Sequence, residues 1–247
     1  MWVWDLRRRT FTRLTRDEGP EQHPIWTPDG ARVVFQSPDG MASTAADGTG
    51  TIEAVPNSER GSTPFSWTAD GRLVFDFVSP DGRDIRVAPL DGSSPAETLL
   101  AGAFAEQRGT ISPDGRWLAY ESLESGEYQI YVRPFPDVDS ARWQVSTAGG
   151  DHPRWSPDGG ELFYRELSSD RLMAVAVTPS GAFEWDDPEP LFSVEPYLSG
   201  NARDFVVDRD DQRFLFKRPV QADTEESNRL VLVQHWDEEL KRLVPVP

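Results

Sequence analysis

Four positions that share one place in a repeated pattern could do chemistry: His23, Arg108, His152 and Asp204. Each stands three residues before the first residue of a recurring turn motif, and Pro64 fills that slot in the remaining copy. If the strands bearing them lined an axis, two imidazoles, a guanidinium and a carboxylate would converge near a channel mouth. Such a set would hold an anion or a polar peptide end. A second row, Asp29, Asp70, Asp114 and Asp158, offers four carboxylates at nearly even spacing. Each lies inside an Asp-Gly turn, where aspartate caps its own backbone rather than a metal. Asp137-x-Asp139 and Asp208-x-Asp210 have the spacing of the first two ligands of a calcium loop. Both lack the glycine at position six and the closing bidentate glutamate.

Other chemistry is excluded by what the chain lacks. It has no cysteine and three histidines, so thiolate metal sites, disulfides and cysteine nucleophiles do not arise. There is no Gly-x-Ser-x-Gly elbow, no His-Glu-x-x-His pair and no phosphate-binding Gly-x-x-x-x-Gly-Lys loop. Gly48-Thr-Gly50 lacks a third glycine and a following helix. The expectation is a chain with no catalytic residues of its own, no cofactor and no metal. The 247 residues carry 42 acidic and 25 basic side chains, a net charge of -17. That argues against a nucleic-acid partner, which needs a basic face. The longest apolar run, Leu99–Ala105, is too short to insert in a membrane.

The elements that would position these residues follow from an internal repeat. Trp26-Thr-Pro-Asp-Gly30 recurs as Trp67-Thr-Ala-Asp-Gly71, Ile111-Ser-Pro-Asp-Gly115 and Trp155-Ser-Pro-Asp-Gly159, with a degraded copy at Val207-Asp-Arg-Asp-Asp211. An apolar strand follows each: Arg32-Val-Val-Phe35, Arg72-Leu-Val-Phe75, Arg116-Trp-Leu-Ala-Tyr120, Glu161-Leu-Phe-Tyr164 and Arg213-Phe-Leu-Phe216. Pro presets the turn and Gly takes positive φ, so each copy begins as a hairpin. Two further strands follow within each repeat. Four short antiparallel strands per roughly 44 residues make a propeller blade. The fold class is therefore all-β, with five motif-bearing blades and a partial sixth. Stacked blades would bury the first motif residue, which assigns Trp26, Trp67, Ile111, Trp155 and Val207 to the core.

The Trp-Ser-Pro-Asp-Gly-Arg-x-apolar-x-Tyr/Phe pattern resembles that of TolB-type, WD-repeat-like β-propellers over nearly the whole chain. Four stretches resemble the C-terminal propellers of bacterial eukaryotic-like serine/threonine kinases: Asp5-Leu-Arg-Arg-Arg-Thr-Phe-Thr-Arg-Leu-Thr15, Glu161-Leu-Phe-Tyr-Arg165, Met173-Ala-Val-Ala-Val177 and Val233-Gln-His-Trp-Asp-Glu-Glu-Leu-Lys-Arg242. This resemblance implies a non-catalytic interaction or ligand-sensing module with a protein or peptide partner, lying outside the cytoplasm. The alternative is the regulatory propeller of a prolyl-oligopeptidase-type serine peptidase, and a free-standing propeller lyase or hydrolase comes third.

The chain is expected to divide into a propeller over 1–235 and a tail over 236–247. Residues 1–15 read as the last two strands of a blade, so either two strands precede them in a longer protein or the two ends share a blade. In the tail, Asp237 caps a short helix and Trp236, Leu240, Leu243 and Val244 form one apolar stripe. The module is expected to be monomeric.

Overall fold

The computed structural model describes residues 1–16, 19–80, 82–178, 181–197, 205–208, 213–217 and 230–234. Asp204 and the expected tail helix lie outside them. The described residues hold 21 strands and a single 3-10 turn at Glu195–Tyr197. None of their helices is long and apolar enough to cross a membrane. The chain forms two compact units, Met1–Ile111 and Ser112–Pro247.

Unit 1 opens with a two-stranded antiparallel sheet of β1 (Trp2–Asp5) and β2 (Thr10–Arg13). The first complete blade has β3 (Gln22–Trp26), β4 (Arg32–Ser37), β5 (Gly40–Ala45) and β6 (Glu53–Ala54) side by side in chain order. The second contains β7 (Thr63–Trp67), β8 (Leu73–Ser79), β9 (Gly82–Ala88) and β10 (Glu97–Leu100), also in order. Then comes β11 (Glu106–Ile111), which packs against β7 to β9.

Unit 2 begins with β12 (Trp117–Ser122), β13 (Gln129–Pro134) and β14 (Trp143–Gln144), antiparallel neighbours in that order. A complete blade follows: β15 (Asp151–Trp155), β16 (Glu161–Glu166), β17 (Arg171–Ala176) and β18 (Glu189–Ser193). The unit ends with β19 (Phe205–Val207), β20 (Arg213–Lys217) and β21 (Leu230–Gln234) in a three-stranded sheet.

The motif turns form as their residues require. Gly30, Gly71, Gly115 and Gly159 have φ between +70° and +83°, a region open to glycine without a Cβ penalty. Each amide donates to the carbonyl of the Thr or Ser three residues earlier, at 2.8–3.0 Å. Asp29 accepts from Thr27 Oγ1 at 2.6 Å and from the Ala31 amide at 2.9 Å. Asp158 accepts likewise from Ser156 Oγ and the Gly160 amide. The carboxylate row is thus a set of turn caps. The second strand of each repeat is apolar on both faces, because a blade is covered from both sides. In unit 1, Ile25, Val34, Met41 and Val55 pack against Leu73, Phe75 and Ala88 of the next blade. In unit 2, Trp117, Ile130 and Val132 pack with Trp155, Leu162 and Tyr164.

Among the residues assigned to the core, Ile111 and Trp155 are buried. Trp67 and Val207 are half-buried against a core cluster. Trp26 departs from the expectation, with 49% of its surface exposed. Trp67 and Trp155, at the same motif position, pack against the preceding repeat, whereas only the two-stranded β1–β2 sheet precedes Trp26 among the described residues. Trp26 still joins two blades through its backbone, since its carbonyl accepts the Trp67 indole N–H at 2.8 Å.

Leu162 is fully buried in the unit 2 core. Leu162→Ala is expected to cost about 2–5 kcal/mol, read from the midpoint of urea unfolding at an unchanged m-value.

Candidate functional site

Three of the four slot residues are described, and they share an unusual backbone. His23, Arg108 and His152 have φ of +52°, +57° and +56°, a left-handed conformation that costs a non-glycine residue of order 1–3 kcal/mol. On β3 and β15 the slot falls where the pairing with the second strand shifts register, between Gln22 and Ile25 and between Asp151 and Arg154. The first strand of the blade therefore carries a bulge, which turns the slot amide out of its own sheet.

The turned amides find carboxylates on the preceding repeat. The Arg108 N–H donates to both Oδ1 and Oδ2 of Asp76 on β8, at 2.9 Å each. The His152 N–H donates to Oε2 of Glu121 on β12, at 3.1 Å. Asp76 is 1% exposed and Glu121 is fully buried. A charged acceptor makes such a bond stronger than a neutral one. Proline has no N–H to offer, and the residue on β4 that corresponds to Asp76 and Glu121, ahead of Pro64, is the neutral Gln36.

In unit 2 the slot sits within a denser cluster. Glu121, Asp151 and His152 are all buried, with ligand-type atoms within 4.8 Å of one another. His152 Nδ1 lies 3.0 Å from Asp151 Oδ1. Arg165 on β16 grips Asp151 bidentately, its Nε donating to Oδ1 at 2.7 Å and its Nη2 to Oδ2. Burial alone would raise the Asp151 carboxyl. The bonds from Arg165 and His152 outweigh that and hold it well below the usual carboxylate range. Three groups of metal-ligating type are present, but a cation entering here would compete with the Arg165 guanidinium for both oxygens of Asp151. The cluster is built as an ion-pair network.

Asp76, Glu121, Asp151 and Arg165 escape a motif search. The signal for three of them is positional: Gln36, Asp76, Glu121, Arg165 and Lys217 each follow the aromatic that ends the second-strand apolar run. Asp76 and Glu121 there serve the next repeat, and Arg165 serves Asp151 of its own blade. Of the suspected calcium pairs, Asp139 lies 3.8 Å from Arg133, and Asp208 Oδ2 accepts from both Nε and Nη2 of Arg213. Asp210 lies outside the described residues.

With this geometry in hand, comparison with known proteins gives the fold. TolB from Acinetobacter baumannii superposes with a TM-score of 0.70 at 17% identity, over 94% of this chain and 55% of that one. A gluconolactonase from Xanthomonas campestris superposes at 0.61 with 17% identity, over 87% of this chain and 72% of the other. An oligogalacturonate lyase in complex with manganese superposes at 0.62 with 12% identity, over 95% and 82%. An uncharacterized protein of Agrobacterium fabrum is 29% identical over 150 residues, 54% of this chain. The chain spans half the length of that curated relative. No family pattern matches. At these identities the likeness is one of fold, and that fold occurs in TolB and in a lactonase and a lyase alike.

Two outcomes test the clamps. Asp76→Leu removes the acceptor of a buried amide and is expected to cost about 1–3 kcal/mol, whereas Asp76→Asn, which keeps an acceptor, costs less; urea denaturation separates them. The Asp151 carboxyl titrates lower when folded than its unfolded value of about 3.9. Its stabilisation is therefore complete at neutral pH and is lost as pH falls below about 4. Asp151→Asn should lower stability at pH 7 and flatten the acid limb, and an acid limb as steep as wild type would refute the assignment.

We conclude that this chain has a β-propeller fold of the TolB kind.

Proposed function

We propose that this chain is a non-catalytic propeller module that binds a protein or peptide partner or senses a ligand. One observation supports this reading most. The groups best suited to chemistry on the inner strands are already committed: Asp76 and Glu121 to backbone amides, and Asp151 to Arg165. Asp76 and Glu121 tie one repeat to the next through these bonds, and Asp151 ties two strands of its own blade through Arg165.

In this reading His23, Arg108, His152 and Asp204 are the polar groups offered to a ligand near a channel mouth. The module belongs to a kinase-linked sensor and works outside the cytoplasm. The support for the kinase link is the resemblance of residues 5–15, 161–165, 173–177 and 233–242 to kinase propellers.

The test has two arms. The purified chain, supplied with manganese ions, is assayed on gluconolactone, on oligogalacturonate and on a proline-containing peptide. Turnover no greater than buffer is expected, and activity lost in Glu121→Gln would sink the non-catalytic reading. The coding sequence upstream of Met1 is read for a kinase domain and a membrane-spanning segment. An in-frame stop codon there would remove the kinase link and leave the binding role standing.

A further inference from the structure

The clamp that joins repeats at two places is replaced at a third, and a pocket opens there. Asp76 takes the Arg108 amide and Glu121 takes the His152 amide. Between the first two complete blades of unit 1 the acceptor position holds Gln36 and the slot holds Pro64, which has no N–H to give. A pocket of about 310 Å³ lies beside Gln36, at the low end for small-molecule sites. It is lined by Pro20 and Gln22 from the entry to β3, Gln36 and Pro38 from the end of β4, and Arg60 and Gly61 ahead of β7. We propose that this pocket binds a monocarboxylate, brought by a small organic acid or by the C-terminus of a peptide.

The lining is a set of donors. Gln22 and Gln36 are direct partners across the β3–β4 pair, so their side chains stand on one face of the sheet. Neither carboxamide makes a hydrogen bond to a described residue, and each has two N–H groups to offer. Arg60 supplies the charge. Its Nε donates to the Pro38 carbonyl at 3.2 Å, which fixes the guanidinium beside the pocket and leaves its Nη1 and Nη2 groups for a ligand. It has no carboxylate partner among the described residues, and no described aspartate or glutamate lines the pocket.

The form of the anion follows from these groups. Two Nη groups of one guanidinium match the two oxygens of a carboxylate in parallel hydrogen bonds. The carboxamides can add N–H bonds to the remaining lone pairs. One guanidinium balances one negative charge. The second charge of a phosphate would meet no further cation in the lining, and the chain's net charge of -17 opposes it. Carboxylates at the acceptor position, as in the Asp76 and Glu121 repeats, would repel any anion, whereas the neutral Gln36 admits one. The Pro20 and Pro38 rings give apolar surface to a short aliphatic group beside the carboxylate.

This inference does not rest on the function proposed above, because none of the slot residues lines the pocket and the readout is binding alone. The full chain, labelled with 15N, is titrated at pH 7 with sodium propanoate, N-acetyl-dialanine, N-acetyl-dialanine amide and inorganic phosphate. Saturable shifts of the Gln22 and Gln36 side-chain amides and of the Gly61 amide are expected with propanoate and N-acetyl-dialanine. Binding at least tenfold weaker is expected for the amide and for phosphate. Tighter binding of N-acetyl-dialanine than of propanoate assigns the pocket to a peptide C-terminus, and equal or weaker binding assigns it to free acids. Arg60 is exposed, so Arg60→Ala should weaken binding at least tenfold with an unchanged melting curve. Gln36→Glu, which places a carboxylate in the pocket, should weaken it by at least as much. The proposal fails if neither carboxylate gives saturable shifts at these groups, or if Arg60→Ala binds as tightly as wild type. Equal affinity for N-acetyl-dialanine amide and N-acetyl-dialanine would overturn the assignment of an anion, and tighter binding of phosphate would overturn that of a carboxylate.

Discussion

The structure depends on a backbone amide that leaves its own sheet. At the slot in the first strand of a blade, the chain enters the left-handed region and points an N–H towards the preceding repeat. A buried carboxylate receives it, Asp76 for Arg108 and Glu121 for His152. The bond offsets the strain of the positive φ and satisfies a lone pair of a buried carboxylate. Together they join blade to blade at a point where apolar packing cannot specify register.

Other features of the inner strands follow from this pairing. The bulge is required because a regular strand would keep the amide in its own ladder. Glutamine stands at the acceptor position before Pro64 because a proline slot brings no N–H. The Asp151–Arg165 pair lies beside the slot, so His152 sits among charges that already balance one another. Polar side chains on a propeller axis are often read as a reactive centre. At 12% and 17% identity, fold neighbours that include a lyase and a lactonase transfer no activity.

The two-stranded β1–β2 sheet leaves apolar side chains uncovered. Trp4 and Phe11 face each other across the pair, with ring centroids 4.3 Å apart. Trp2 and Phe11 remain largely exposed. Apolar side chains alternate onto one face of a strand pair regardless of what covers them. Burial needs a neighbouring sheet.

The sequence by itself determined the repeat and the turn chemistry. These are local matters: Pro and Gly dictate φ, the following Arg and apolar run dictate a strand, and aspartate caps its own turn. Only the tertiary structure decided what the polar residues do. The slot was visible as a column of His, Arg and Asp, but its left-handed φ and its acceptors were not. The acceptor lies 31 or 32 residues away on another strand, and nothing local marks an aspartate as the partner of a distant amide. Trp26 shows the same division. Its motif predicts burial, yet burial depends on the sheet that covers that face, and Trp26 follows a two-stranded sheet where Trp67 and Trp155 follow larger ones.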